Sequence, residues 1–175
     1  MNRTAATTLL LALSLLLSSE VWSAEADPWK AISFLQGTWG AEIRGGTAGA
    51  QGISNYTFKS ELKHHVISRT SAAPATCKGP EDFDCGHSDL LFIYQEGANQ
   101  PLKAIYFDNE GHVIHYQVST PQPATAVFTS DAIAPGPQYR LMYQLSGAIM
   151  SGKFQMRMPG QQEWKSYLEW SGAKQ

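Results

Sequence analysis

The sequence predicts an all-β protein: an antiparallel up-and-down β-barrel of about ten strands with a short N-terminal helix. Side-chain polarity alternates with a period of two from about residue 38 to residue 171, and the segments are joined by short connections rich in turn-forming residues. Short connections make neighbours in sequence into neighbours in the sheet, and closing such a sheet removes its exposed edges. A β-sandwich would need long crossover connections, which these turns do not provide.

The N-terminus has the features of a secretory signal peptide. Arg3 precedes an apolar run over residues 5–17, and Ala24-Glu25-Ala26 provides a cleavage site of small residues. The run is shorter than the roughly 20 apolar residues that a membrane-spanning helix requires, so no stable membrane insertion is expected. The sequence therefore predicts a signal peptide over residues 1–26 and one barrel domain over residues 27–175, exported to the periplasm or secreted.

The folded part is predicted to begin with the helix. Asp27 is a favourable helix cap, Pro28 suits the first helical position, and Gly37 ends the segment. Strands are expected after it, near residues 38–44, 53–59, 62–71, 87–95, 102–108, 112–119, 124–130, 138–145, 148–158 and 163–171. The turns at 109–111, 146–147 and 159–160 each contain glycine, which is typical of tight hairpins.

Two hairpins can be registered through their turns, and each has one apolar face. In the 102–119 hairpin the tyrosine-bearing face is the less polar one, and in the 138–158 hairpin one face is aromatic and rich in methionine. We expect these faces to line a ligand cavity, since barrels of this size enclose more space than their own side chains fill, although a filled core is the alternative. The predicted wall consists of Tyr106, Tyr116, Tyr139, Tyr143, Met150, Phe154 and Met156.

Composition excludes some partners. The chain has 175 residues, 13 of them Lys or Arg and 15 Asp or Glu, and no basic cluster is present. Nucleic-acid binding is therefore not expected. The expected partner is a small hydrophobic or amphipathic molecule, no cofactor is predicted, and the composition indicates no particular oligomeric state.

The two cysteines are predicted to pair. Cys77 and Cys85 enclose a segment dense in turn formers and charges, which in an exported chain indicates a disulfide-clipped surface loop. A metal site would need more ligands, and a redox pair would have the C-x-x-C spacing.

Catalytic signals are weak. Asp108 and His112 should face each other at a hairpin tip, where a carboxylate can orient an imidazole to act as a general base; a polar turn is the alternative. No metal site is predicted, because His64 and His65, like His112 and His115, should point to opposite sides of a strand. Function as an enzyme on a small lipophile, or as an envelope interaction module with a filled barrel, stays open beside ligand carriage.

With Gly37-Thr38-Trp39 on the first strand after a capping helix, the chain resembles the calycin superfamily, the lipocalins and their fatty-acid-binding relatives. The resemblance implies carriage or sensing of a small hydrophobic molecule and places Trp39 at the barrel floor. It also implies an arginine from a late strand above that tryptophan, for which Arg140 and Arg157 are candidates although the register points both outward.

Two further expectations concern the C-terminal part of the chain. Trp164 and Trp170 are six residues apart on the last predicted strand, so they should share a face and close the barrel against Trp39. The chain also resembles the nitrobindins, ten-stranded barrels that hold haem through a late histidine. Because no histidine follows His115, haem is not expected.

Overall fold

A computed structural model describes residues 27–132 and 135–175. The predicted signal peptide, residues 1–26, lies outside the described residues. Among the residues described, no helix has the length and apolar character needed to cross a membrane.

The described part of the chain begins with the predicted helix, which is divided into two pieces. The Asp27 carboxylate accepts a hydrogen bond of 3.0 Å from the Trp29 backbone N–H, and Pro28 occupies the first turn of helix α1 (Pro28–Ala31). A 3-10 turn over Ser33–Leu35 follows. Leu35 is completely buried, and its carbonyl accepts a 2.8 Å hydrogen bond from the Trp39 indole. The helical segment therefore caps one end of the structure.

Eleven strands follow. Their bounds are β1 Gly37–Gly45, β2 Gln51–Glu61, β3 Val66–Ser71, β4 Thr76–Lys78, β5 Asp89–Tyr94, β6 Lys103–Asp108, β7 Val113–Ser119, β8 Thr125–Ser130, β9 Gln138–Ser146, β10 Ile149–Arg157 and β11 Lys165–Ala173. Ten of them correspond to the predicted strands. The short strand β4 was not predicted, because three residues carry too little alternation to stand out from a loop.

The sheet closes into a barrel. Apart from β4, each strand pairs antiparallel with the next along the chain, and β1 pairs with both β2 and β11. This gives a ten-stranded up-and-down barrel, with β4 added beside the start of β2. The prediction of an all-β barrel with a short N-terminal helix is confirmed. Closure pairs the two strands that would otherwise be sheet edges.

Two details of the strand prediction are wrong. The third predicted strand does not extend back to residue 62, because a 3-10 turn over Leu62–His64 separates β2 from β3. His64 and His65 therefore lie in a turn. Trp164 and Trp170 do not share a face either: between Phe154 and Gln155 the pairing partner moves from Leu168 to Ser166, and this β-bulge inverts the alternation along β11.

Tyr143 occupies the centre of the barrel core. Its ring lies 5.2 Å from Phe58, 5.6 Å from Tyr56, 5.9 Å from Trp170 and 6.1 Å from Phe128 between centroids. Most of these contacts are edge-to-face, the arrangement that aromatic quadrupoles favour. This aromatic cluster fills the barrel between its helix-capped end and a cavity at the opposite end.

Candidate functional site

A cavity of about 430 Å³ opens at the barrel end remote from the helix. This volume is within the range of small-molecule pockets. The mouth is bordered by Asp82, Phe83 and Asp84 of the loop between β4 and β5, and by Glu110 and His112 of the β6–β7 hairpin. The wall contains inward-facing side chains from the barrel strands, among them Tyr56, Leu141, Leu168 and Trp170.

Most of the predicted wall residues line this cavity. They are Tyr106, Tyr116, Tyr139, Phe154 and Met156. Tyr139 and Phe154 are stacked, with centroids 5.6 Å apart and ring planes 11° from parallel. Tyr143 and Met150 also face inward and are fully buried, but they belong to the core beneath the cavity. Alternation assigns a residue to a face, whereas its height along the barrel depends on the stagger of all strands.

Trp39 lies at the helix-capped end, 3% exposed, far along the barrel from the cavity mouth. The cation nearest its ring is Lys174, whose Nζ is 5.4 Å from the ring centroid. Arg140 and Arg157 instead flank Trp164, at 4.4 and 4.7 Å from its centroid. The arginine expected above Trp39 is thus replaced by a lysine near the C-terminus.

The disulfide is present and shapes the mouth. Cys77 and Cys85 are joined, with Cα atoms 5.7 Å apart. Cys77 is anchored in β4, where it pairs with Gly52 of β2. The bridge therefore ties the segment that carries Asp82, Phe83 and Asp84 to the sheet beside the cavity.

A buried ion pair at the cavity was not predicted from the sequence. Arg69 of β3 donates a hydrogen bond from Nη1 to Asp89 of β5, and each side chain is 7% exposed. The Arg69 guanidinium also lies over Tyr56, 5.3 Å from the ring centroid. Burial opposes the charged form of Arg69, but Asp89 and the neighbouring tyrosines outweigh it and raise the pKa of Arg69. The positive charge of Arg69 is therefore retained inside the barrel.

His87 connects this pair to the cavity mouth. Its Nδ1 lies 2.8 Å from Glu110 Oε1, and its Nε2 lies 3.0 Å from the Tyr106 hydroxyl and 3.7 Å from Asp89 Oδ2. Interaction with Asp89 and then with Glu110 raises the pKa of His87 to about 9 against the opposing effect of burial. The imidazole is consequently protonated at neutral pH and pairs with both carboxylates.

Asp84, His87 and Glu110 place one potential metal-ligand atom each within 4.8 Å of one another. The histidine pairs considered from the sequence are not part of this group. The Asp84 carboxylate already accepts a 2.7 Å hydrogen bond from the Gly86 backbone N–H, and His87 is bound to Glu110. The cluster is accordingly explained by hydrogen bonds that fold the loop over the mouth.

Asp108 and His112 meet at the hairpin tip as the register predicts. His112 Nδ1 lies 2.9 Å from Asp108 Oδ2, and Asp108 Oδ1 accepts hydrogen bonds from the backbone N–H groups of His112 and Glu110. The Tyr106 hydroxyl is 3.3 Å from the same carboxylate. Burial favours the neutral acid, but the backbone and side-chain hydrogen bonds of His112 outweigh it and lower the pKa of Asp108.

Several buried polar atoms have no hydrogen-bond partner in the described part of the chain. Among the residues that line the cavity these are the Tyr56 hydroxyl, Arg69 Nε and Trp170 Nε1. Burial raises the pKa of Tyr56 to about 12, while Arg69 and the Trp170 N–H, which lies beside the Tyr56 hydroxyl without the geometry of a hydrogen bond, partly oppose the change. The three polar groups therefore lie around one region of the inner wall.

Strand alternation predicts that Arg69 and Asp89 face inward, but neither residue lies in the two hairpins whose register was assigned. Arg69 alternates with Ile67 on β3 and Asp89 alternates with Leu91 on β5, so each charge follows the inward pattern. Their approach depends on pairing β3 with β5 across β4 and the disulfide loop. No short turn fixes that register.

The fold is a ten-stranded up-and-down β-barrel with an internal, partly polar cavity. No protein-family model matches the chain, and no curated protein matches it significantly.

Proposed function

We propose that this protein binds a small amphipathic molecule inside the barrel and serves as an exported carrier or sensor. One observation carries the proposal: a cavity of about 430 Å³ combines an aromatic wall with buried polar atoms that have no partner among the described residues. A buried polar group without a hydrogen bond is costly, and a ligand that supplies the bond offsets that cost.

The closed barrel, the capping helix and Gly37-Thr38-Trp39 on β1 support membership of the calycin superfamily as part of the proposal. Export is proposed from the N-terminal apolar segment and is supported by the Cys77–Cys85 disulfide, since such bridges persist in oxidising compartments. Both features suit a protein that meets its ligand outside the cytoplasm.

Native mass spectrometry of protein purified from an oxidising compartment tests ligand binding. We expect an additional mass that disappears on denaturation, and chemical analysis of the released molecule would identify its class. A protein that stays ligand-free after purification and after incubation with lipids and aromatic amphipaths would contradict the proposal.

Two tryptophan substitutions locate the site. Phe154→Trp adds volume within the cavity, where Phe154 is stacked on Tyr139. Ligand affinity should therefore fall by about tenfold or more, while the protein still folds. Ile149→Trp is the matched control, because Ile149 lies on the same strand with 46% exposure. Equal affinity in both folded variants would place the ligand elsewhere.

Catalysis on a small lipophile is the second candidate, and the Asp108–His112 hydrogen bond at the cavity mouth favours it. The same carboxylate is, however, committed to two backbone N–H groups of the turn. Conversion of a bound molecule that is lost in His112→Ala, with binding retained, would support an enzyme. Retained conversion would exclude His112 as the base.

A further inference from the structure

We infer that the ligand is an uncharged or cationic molecule whose carbonyl-type oxygen accepts hydrogen bonds from Tyr56, Arg69 and Trp170 at the inner wall. The inference rests on the proposed function and specifies the chemical class that the same cavity binds. It distinguishes this barrel from a carrier of free carboxylates.

The inner wall requires an acceptor. The free atoms of Arg69 and Trp170 are Nε–H and indole N–H groups, which donate hydrogen bonds and cannot accept them. The Tyr56 hydroxyl can donate as well. Tyr56 and Arg69 are 2% and 6% exposed, so bulk water does not solvate these groups. A ligand oxygen placed among them would satisfy donors that are unpaired in the described part of the protein.

The charges of the lining disfavour an anion. Arg69 is neutralised by Asp89, and five carboxylates line the cavity and mouth against three basic side chains. The carboxylates are those of Asp82, Asp84, Asp89, Asp108 and Glu110; the basic residues are Arg69, His87 and His112. The lining is thus net negative even when both histidines are counted as positive, and this balance disfavours a ligand carboxylate.

The aromatic wall suits the remainder of the molecule. Tyr139 and Phe154 form a stacked pair, and Tyr167 packs edge-on against Phe154 at 6.3 Å between centroids. A flat apolar body can pack against these rings, and a positive group at its outer end would lie near Asp82, Asp84 and Glu110. The oxygen is therefore directed inward and any positive charge outward.

Three naphthalene probes of similar shape test the inference. 6-Propionyl-2-(dimethylamino)naphthalene carries a neutral ketone, 6-(dimethylamino)-2-naphthoate carries a carboxylate, and 2-(dimethylamino)naphthalene has no acceptor. Fluorescence titration at pH 7 should show the ketone binding at least about tenfold more tightly than either of the others, the value of one hydrogen bond to a buried donor.

The outcomes separate the two proposals. Equal binding of all three probes, or preference for the naphthoate, would overturn the inference and leave ligand binding in place. Failure of all three to bind would overturn both. If denaturation releases natural ligands, those with a neutral acceptor oxygen should compete with the ketone probe more strongly than those with a carboxylate or without an acceptor.

Tyr56→Phe and Tyr143→Phe form a matched pair of variants. Neither hydroxyl has a hydrogen-bond partner within residues 27–132 and 135–175, and of the two tyrosines Tyr56 lines the cavity while Tyr143 lies in the core beneath it. Tyr56→Phe should weaken ketone binding about threefold to tenfold and leave 2-(dimethylamino)naphthalene unaffected. Tyr143→Phe should change neither affinity. Equal effects of the two substitutions on the ketone would contradict a direct contact with Tyr56.

Trp170→Phe provides a second measurement that does not depend on a tyrosine. It removes the indole N–H while keeping an aromatic ring in the lining. The preference for the ketone over the acceptor-free probe should shrink, because both probes lose the same packing but only the ketone loses a donor. A preference that stays at its original size would argue against the proposed acceptor position.

Discussion

Arg69 and Asp89 form an ion pair inside an otherwise aromatic barrel, with each side chain only 7% exposed. They come from β3 and β5, which pair directly although β4 and the disulfide loop lie between them in the chain. Replacing both members of a buried ion pair by apolar residues is often tolerated, whereas removing one leaves a buried charge unpaired. The pair therefore links the stability of the barrel to the polarity of its cavity.

Arg69→Met should destabilise the protein strongly. The free energy of unfolding is expected to fall by about 3–5 kcal/mol because Asp89 loses its closest partner. The double variant Arg69→Met/Asp89→Leu should recover most of that loss, as urea denaturation would show. An exposed pair serves as control: Lys59→Met, which breaks the 3.1 Å contact with Glu61, should change stability by less than about 1 kcal/mol. A double variant no more stable than the single one would contradict the assignment.

His87 should titrate near pH 9. Its pKa in the folded protein is raised from 6.5 to about 9 by Asp89 and then Glu110, which favour the protonated imidazole. The resulting stabilisation is complete below about pH 6.5 and is lost as pH rises through about 9. The difference in unfolding free energy between wild type and His87→Gln should shrink over that interval. An imidazole NMR titration gives the pKa directly, and a value at or below 6.5 would refute the network.

Any residue larger than glycine at position 152 should reduce the stability of the barrel while Trp170 is present. A Cβ at Gly152 would overlap the Trp170 indole, which lies across it. Gly152→Ala is expected to reduce stability by about 1–3 kcal/mol through overpacking. In a Trp170→Ala background the same substitution should cost much less. Thermal unfolding of the four proteins of this cycle measures the coupling, and additive effects would show that the two residues do not contact.

Breaking the disulfide should destabilise the barrel moderately. Cys77→Ser/Cys85→Ser releases a short loop, and the chain-entropy relation gives a loss of about 2.5 kcal/mol. The unfolding midpoint of the oxidised protein should fall to that of the double variant on addition of reductant. A variant with unchanged stability would indicate that hydrogen bonds such as that from the Gly86 N–H to Asp84 hold the loop without the bridge.

The two registered hairpins show why much of the fold was predictable. Asn109-Glu110-Gly111 turns tightly enough to fix the pairing of β6 with β7, and Ser146-Gly147 does the same for β9 and β10. Tyr106, Tyr116, Tyr139 and Phe154 were assigned to the interior from those turns alone. The prediction failed for Trp164, because the bulge beside Tyr167 adds one residue to β11 and no local pattern marks it.

Local sequence determined the alternation of the strands, the tight turns, the helix cap at Asp27 and the pairing of the cysteines, because each depends on residues close together in the chain. Tertiary structure decided which inward side chains fill the core and which surround the cavity. Tyr143 lies below the cavity and Tyr139 beside it on the same face of β9, since position along the barrel depends on the stagger of all ten strands. The meeting of Arg69, Asp89 and His87 depends on the same non-local register, so only the closed barrel brings these charges together.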